Sequence, residues 1–150
     1  VIYDADLQEP QAWQPRLAQA LAWLQTGATP APKEVAATLG NGISALASCV
    51  TALYVAARFV PQDFVSLIDF VQRMGGDTDT IAAMAGGIYG AARGLEALPC
   101  SALAQLEDAK LLHSLAWQLA ERLSSPSAHA SQCSCPRASG SALACWPPTA

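Results

Sequence analysis

Two carboxylates and two hydroxyls alternate in Asp77-Thr78-Asp79-Thr80, directly after Gly75-Gly76 and directly before the apolar run Ile81-Ala82-Ala83-Met84-Ala85. Asp and Thr supply hard oxygen donors. Crowded at one point, such donors suit a hard divalent cation such as Mg²⁺ far better than zinc, which prefers nitrogen and sulfur. The paired glycines let the backbone turn sharply and lie close to a neighbouring group. A plainer reading stands beside this one, with Asp79 or Thr80 as the N-cap of the helix that follows and Asp77 favoured by the positive helix end. Capping accounts for one acid but leaves the second acid and the double glycine without a task.

A second stretch, Gly40-Asn41-Gly42-Ile43, offers a bare backbone that a ligand can approach closely, or else simply a helix stop. These two stretches together carry a resemblance. The run from Gly75 through Asp77, Asp79 and Thr80 to Gly86 resembles the C-terminal metal motif of the ADP-ribosylglycohydrolase family, and in particular its ADP-ribosylserine hydrolase branch. Leu39 to Leu46, with Ser48 and Thr51-Ala52-Leu53-Tyr54, is similar to the substrate-side segment of that branch. The motifs stand in the family's order and spacing, and the similarity covers about residues 33–123.

The resemblance implies an all-α, orthogonal multi-helix bundle and Mg²⁺-dependent hydrolysis of ADP-ribosyl linkages, on modified protein or poly-ADP-ribose. By that analogy Asp77 and Asp79 are catalytic and, with Thr80, ligate a two-magnesium centre. Asn41, Gly42 and Ile43 line the substrate. The expected partners are ADP-ribose or an ADP-ribosylated protein. Family members also bring a Thr-Asp-Asp ligand cluster, a glutamate and a phosphate-binding glycine loop from an N-terminal half. Asp4 and Asp6 do not reproduce that cluster, and the first residue is Val1, not Met. The expectation is therefore a C-terminal portion, weak or inactive alone, with the N-terminal half as its intramolecular partner. The alternative is a non-catalytic helical module that binds ADP-ribose or a protein.

The elements that must position these residues read as helices. Trp13, Leu17, Ala20, Leu21 and Leu24 predict a helix over 11–25, Pro32 opens a short one to Thr38, and longer ones follow over 44–59 and 62–73. In the last of these, Phe64, Leu67, Ile68 and Val71 form the core stripe. The helix after the acidic motif runs to about Arg93, and Ala82, Gly86, Gly90 and Gly94 predict a flat face for close helix packing. One or two helices over 102–123 place Leu111, Leu112, Leu115 and Leu119 on a buried side. No alternating apolar pattern or hairpin dipeptide signals a strand. The helical domain is expected over 1–123, and the Ser, Ala, Pro and Cys of 124–150 predict a disordered tail.

Composition narrows the partners. Eight basic against 12 acidic residues give a net charge of −4, which argues against nucleic acid, whose phosphates need a basic face. With 52% hydrophobic and 13% charged residues, the chain is apolar for a soluble domain and points to a surface that expects a partner. No uncharged apolar run has the length of a membrane span, about 18 residues or more. The five cysteines lack metal-ligand spacing, and an intracellular, reduced setting is expected.

Overall fold

The computed structural model describes residues 10–124, and every regular element among them is helical. In chain order these are α1 (Pro10–Thr26), α2 (Pro32–Leu39), α3 (Ala45–Phe59), α4 (Phe64–Met74), α5 (Thr78–Arg93), a 3-10 turn at Leu95–Ala97, α6 (Cys100–Ala104) and α7 (Ala109–Ser124). The chain divides into two units, the first ending at Ala97 and the second beginning at Leu98. The expected tail lies outside the described residues apart from Ser124, which closes α7.

In the first unit α3 is the central element, packed against α1, α2, α4 and α5. Its composition explains this position. Val50, Thr51, Ala52, Tyr54, Val55, Ala56 and Phe59 are all buried, so most of its circumference is apolar or small, as a helix surrounded by others requires. Each fully buried Val, Leu or Ile side chain stabilises such a core by about 1.5–3 kcal/mol. Thr51 is tolerated there because its hydroxyl donates to the Gly40 carbonyl at 2.7 Å, leaving no buried oxygen unpaired.

The flanking helices are fixed by specific contacts. From α1, Arg16 donates to the Leu46 carbonyl at 2.7 Å, and Trp23 lies 5.4 Å from Tyr54 of α3, ring centroid to ring centroid. The apolar spacing that predicts α1 does not mark its inner face. Ala20 is buried with Arg16 and Trp23 partly so, whereas Leu17, Leu21 and Leu24 are 43%, 54% and 38% exposed. The arginine bond and the tryptophan contact rotate the helix away from its leucines.

Helix α4 begins later than the sequence predicts, because Asp63 caps it: the carboxylate accepts from the Ser66 amide at 2.8 Å and from the Ser66 hydroxyl at 2.7 Å. Leu67, Phe70, Val71 and Met74 form its buried side. Helix α5 turns Ile81, Ala85 and Tyr89 inward, and the Tyr89 hydroxyl donates to the Gln62 carbonyl at 2.9 Å. The small-residue stripe is thus not the packed face. A Cβ at Gly86 would meet the Phe64 ring at 3.4 Å, but at Gly90 it would meet nothing within 4 Å, and Gly94 is the C-cap. Ile81 and Tyr89 fill more space than the glycines, so burying their side removes more apolar surface from water.

In the second unit α6 contributes one buried residue, Leu103, and α7 follows after Asp108, which adopts a positive φ of 52°. The leucines predicted as the buried side of α7 are exposed: Leu111 56%, Leu112 47%, Leu115 52% and Leu119 60%. The helical period was right, but no described residue covers the stripe.

Candidate functional site

Helix α5 starts at Thr78, so Asp77 is its N-cap residue and Asp79 lies in its first turn. Neither Asp79 nor Thr80 is the cap. Asp77 occupies the cap position without capping, since its side chain accepts no hydrogen bond from the helix. Asp63 at the head of α4 shows what an aspartate does in this chain when capping is its task. Asp77 instead turns towards Asp79. The neighbouring Asp77 carboxyl, and after it the backbone N–H groups of Thr80 and Asp79, hold the Asp79 carboxyl below the usual carboxylate value. Two acids so close repel unless a proton or a cation lies between them. Asp77 is half-buried, whereas Asp79 and Thr80 are exposed at the surface.

The turn that carries these acids is fastened to the Asn41 segment. The Asn41 side-chain amide donates to the Gly75 carbonyl at 3.0 Å and to the Met74 carbonyl at 3.3 Å. In return, the Asp77 amide donates to the Asn41 backbone carbonyl at 2.8 Å. Lys33 of α2 adds a fourth bond, from Nζ to the Met74 carbonyl at 3.3 Å. These bonds use carbonyls at the C-terminus of α4 that lack helical partners, so one set of contacts both ends α4 and aims the start of α5.

Gly76 is required for this approach. Its φ is +76°, and a Cβ there would lie 2.6 Å from Asn41 Nδ2 and closer still to the Asn41 carbonyl oxygen. On the other side of the junction Gly40, at φ +103°, lies so near α3 that a Cβ would be 2.8 Å from the Ala47 Cα. The two glycine-containing stretches of the sequence are therefore one structural junction. Asn41 touches the acidic turn directly, Gly42 and Ile43 follow it in the chain, and Asp79 and Thr80 stand on the first turn beyond.

Ile43, two residues along the chain from Asn41, is 85% exposed. Gly42 is half-buried; a Cβ there would touch Ala47 at an ordinary 3.6 Å, so no described residue demands glycine at that place. Sequence reasoning missed Lys33, whose participation depends on how α2 lies against the end of α4 and has no signature of its own. Thr51 was noticed only as part of a motif; its task of holding the Gly40 carbonyl follows from the helical register that places it one turn beyond Ala47.

The donor set suits Mg²⁺ in kind, being carboxylate and hydroxyl oxygen. In number it is short. Among the described residues, no group of three or more His, Cys, Asp or Glu side chains converges on one point.

Comparison with known sequences decides the family. The sequence profile of the ADP-ribosylglycohydrolases matches residues 2–129. The chain belongs to the ADP-ribosylglycohydrolase family. Within it, ADP-ribosylhydrolase ARH3 of Bos taurus is 45% identical over 76 residues, which is 45% of this chain and 21% of the relative. ARH3 of Danio rerio is 46% identical over 78 residues, 46% of this chain and 21% of the relative, and that of Homo sapiens 43% over 76 residues, 45% and 21%. The matched region thus spans about a fifth of the length of these relatives. No solved structure matches the chain.

Proposed function

We propose that this chain supplies the acidic, metal-holding turn and the adjoining substrate-side loop of an ADP-ribosyl hydrolase, an enzyme that releases ADP-ribose from modified protein or from poly-ADP-ribose. The observation that carries the reading is the direct fastening of the Asn41 segment to the turn bearing Asp77 and Asp79. Gly42 and Ile43 directly follow the fastened Asn41, so a ligand held at the carboxylates would have them as the next residues of that segment.

In this reading Asp77, Asp79 and Thr80 hold Mg²⁺, two ions in the complete family site. When bound, the metal lowers the pKa of coordinated water and steadies the ribose hydroxyls. The chain's own part is to hold the two carboxyl groups side by side at the N-terminus of α5, whose positive dipole favours negative charge there. Ile43 offers apolar contact to the nucleotide, and the bare backbone at Gly42 allows close approach. Asn41 acts through the turn it holds, since both donors of its amide are already engaged.

Two carboxylates and one hydroxyl cannot neutralise and coordinate two divalent cations, so turnover requires ligands beyond those described. That shortage favours a second reading for the chain on its own, binding of ADP-ribose or of a protein without turnover. One experiment separates them. The chain is mixed with the N-terminal half of a close relative, and release of ADP-ribose from a serine-modified peptide is measured with and without EDTA. Hydrolysis that disappears in Asp77→Asn and Asp79→Asn, and is reduced less by Thr80→Ala, supports the first reading. Activity that survives both EDTA and the double Asp→Asn change refutes the metal assignment. ADP-ribose binding by the chain with no turnover in any mixture supports the second.

A further inference from the structure

Arg58 stands at the end of α3 with its guanidinium fixed on several sides. Nη1 donates to the Pro30 carbonyl at 2.9 Å and to the Tyr54 hydroxyl at 3.4 Å. Cζ lies 4.5 Å from the ring centroid of Phe70 and 5.2 Å from that of Phe59. These contacts leave Nε and Nη2 without a partner among the described residues. Both atoms reach solvent, because among the described residues no buried side-chain nitrogen or oxygen lacks a hydrogen bond. Nε and Nη2 form the side-on edge of a guanidinium, two parallel N–H groups whose spacing matches the two oxygens of a carboxylate.

The neighbouring arginine shows that edge in use. Arg73 donates from Nε to Asp69 Oδ1 at 3.1 Å and places Nη2 2.8 Å from Oδ2. Arg58, Arg73 and Asp69 line one cleft of about 380 Å³, whose apolar lining is carried at the surface by Ala31 and Pro32, over the buried Pro30, Phe59 and Phe70. Arg73 is satisfied by an internal carboxylate. Arg58 is held in place with the equivalent edge vacant, so a ligand would find the fork already oriented and little side-chain freedom left to lose.

We propose that this cleft is a binding site for a carboxylate carried on an apolar body, with Arg58 as its recognition residue. A carboxylate fits better than a phosphate dianion, because two guanidiniums against one Asp leave a single net positive charge. The apolar body follows from the exposed Ala31 and half-buried Pro32 of that lining. Two sources share this chemistry, a peptide C-terminus and a free carboxylic acid. The site uses neither the acidic turn nor the Asn41 junction, so it stands or falls separately from the hydrolase reading.

The test uses the full 150-residue chain and side-chain NMR of arginine Nε–H groups. It is titrated with N-acetylphenylalanine, its carboxamide, phenyl phosphate and the tripeptide acid Pro-Ala-Phe. The expected result is a saturable shift of the Arg58 Nε–H with the two carboxylic acids and none with the carboxamide. Arg58→Lys, which keeps the charge but loses the fork, should weaken binding about tenfold or more, while Arg73→Lys should weaken it less. Circular dichroism of Arg58→Lys confirms folding; should that variant unfold, the acid-against-amide contrast in the unmodified chain remains decisive. Tighter binding of the tripeptide supports a peptide C-terminus, and equal or tighter binding of N-acetylphenylalanine supports a free acid. The proposal is overturned if the carboxamide binds as well as the acid, if phenyl phosphate binds more tightly, or if the Arg58 signal stays fixed at saturation.

Discussion

Replacing Asn41 by alanine tests whether the junction holds the acidic turn in place. The change removes the two amide hydrogen bonds to Met74 and Gly75, at 3.3 and 3.0 Å, but keeps the backbone carbonyl that accepts from Asp77. A net hydrogen bond contributes about 0.5–1.5 kcal/mol, and the longer of the two counts near the lower end, so the loss is about 1–2 kcal/mol. Lys33 still donates to Met74, which keeps the end of α4 from fraying entirely. An opening free energy lowered by that amount multiplies the open population by about 5–30. Amide hydrogen exchange at Asp77 reads this directly, because its N–H is protected only by the Asn41 carbonyl. Asn41→Asp should be worse than Asn41→Ala, since it sets an acceptor-only group against two carbonyl oxygens. If Asp77 exchange is unchanged in Asn41→Ala, or if Asn41→Asp proves milder, the fastening is not what aims the turn and the argument for a single junction fails.

Gly76→Ala should destabilise more than Asn41→Ala in a urea titration, because a left-handed conformation costs an L-residue about 1–2 kcal/mol before the collision with Asn41 is counted. Equal stability of wild type and variant would contradict the positive φ. Burial pushes the Tyr54 phenol above its ordinary value, opposed only in part by the Arg58 charge and hydrogen bond. The contribution of the neutral phenol is therefore complete below pH about 10 and is lost as pH rises from there through the folded-state pKa. Melting temperatures of Tyr54→Phe should fall less steeply than those of wild type above that pH, and parallel curves would refute the assignment. Truncating Ile81, fully buried in α5, to alanine should cost about 2–5 kcal/mol. Leu115→Ala, at a residue 52% exposed, should cost less than about 1 kcal/mol, and a large loss would mean that the α7 stripe is covered after all.

The helical class and most helix positions were legible because they rest on local signals. Pro32 begins α2, Gly40 ends it, and the apolar spacing of α3 and α4 follows the helical period. Which face of a helix turns inward was less legible where an apolar stripe competed with a specific contact. In α1 the leucines promised the buried side, but Arg16 and Trp23 have partners on α3 and set the rotation. In α5 the glycine stripe suggested close packing, while the larger Ile81 and Tyr89 decided it. Periodicity states that a face exists; only the partner's shape decides which face is taken.

The acidic turn illustrates the same limit in its chemistry. Composition at positions 75–80 identified hard oxygen donors, but it could not distinguish capping from coordination, because both uses place aspartate at a helix start. In the structure Asp77 occupies the cap position and leaves the helix amides alone, whereas Asp63 at the same position of α4 closes onto Ser66. Asn41 shows the converse. Its type and its place in a glycine turn suggested contact with a ligand, yet both amide donors serve the backbone of the acidic turn. A polar side chain between two glycines can reach a ligand or a neighbouring loop with equal ease, and the sequence does not state which is nearer. Here the neighbouring loop is nearer: both amide donors of Asn41 are spent on it, while Ile43, two residues along, stays exposed.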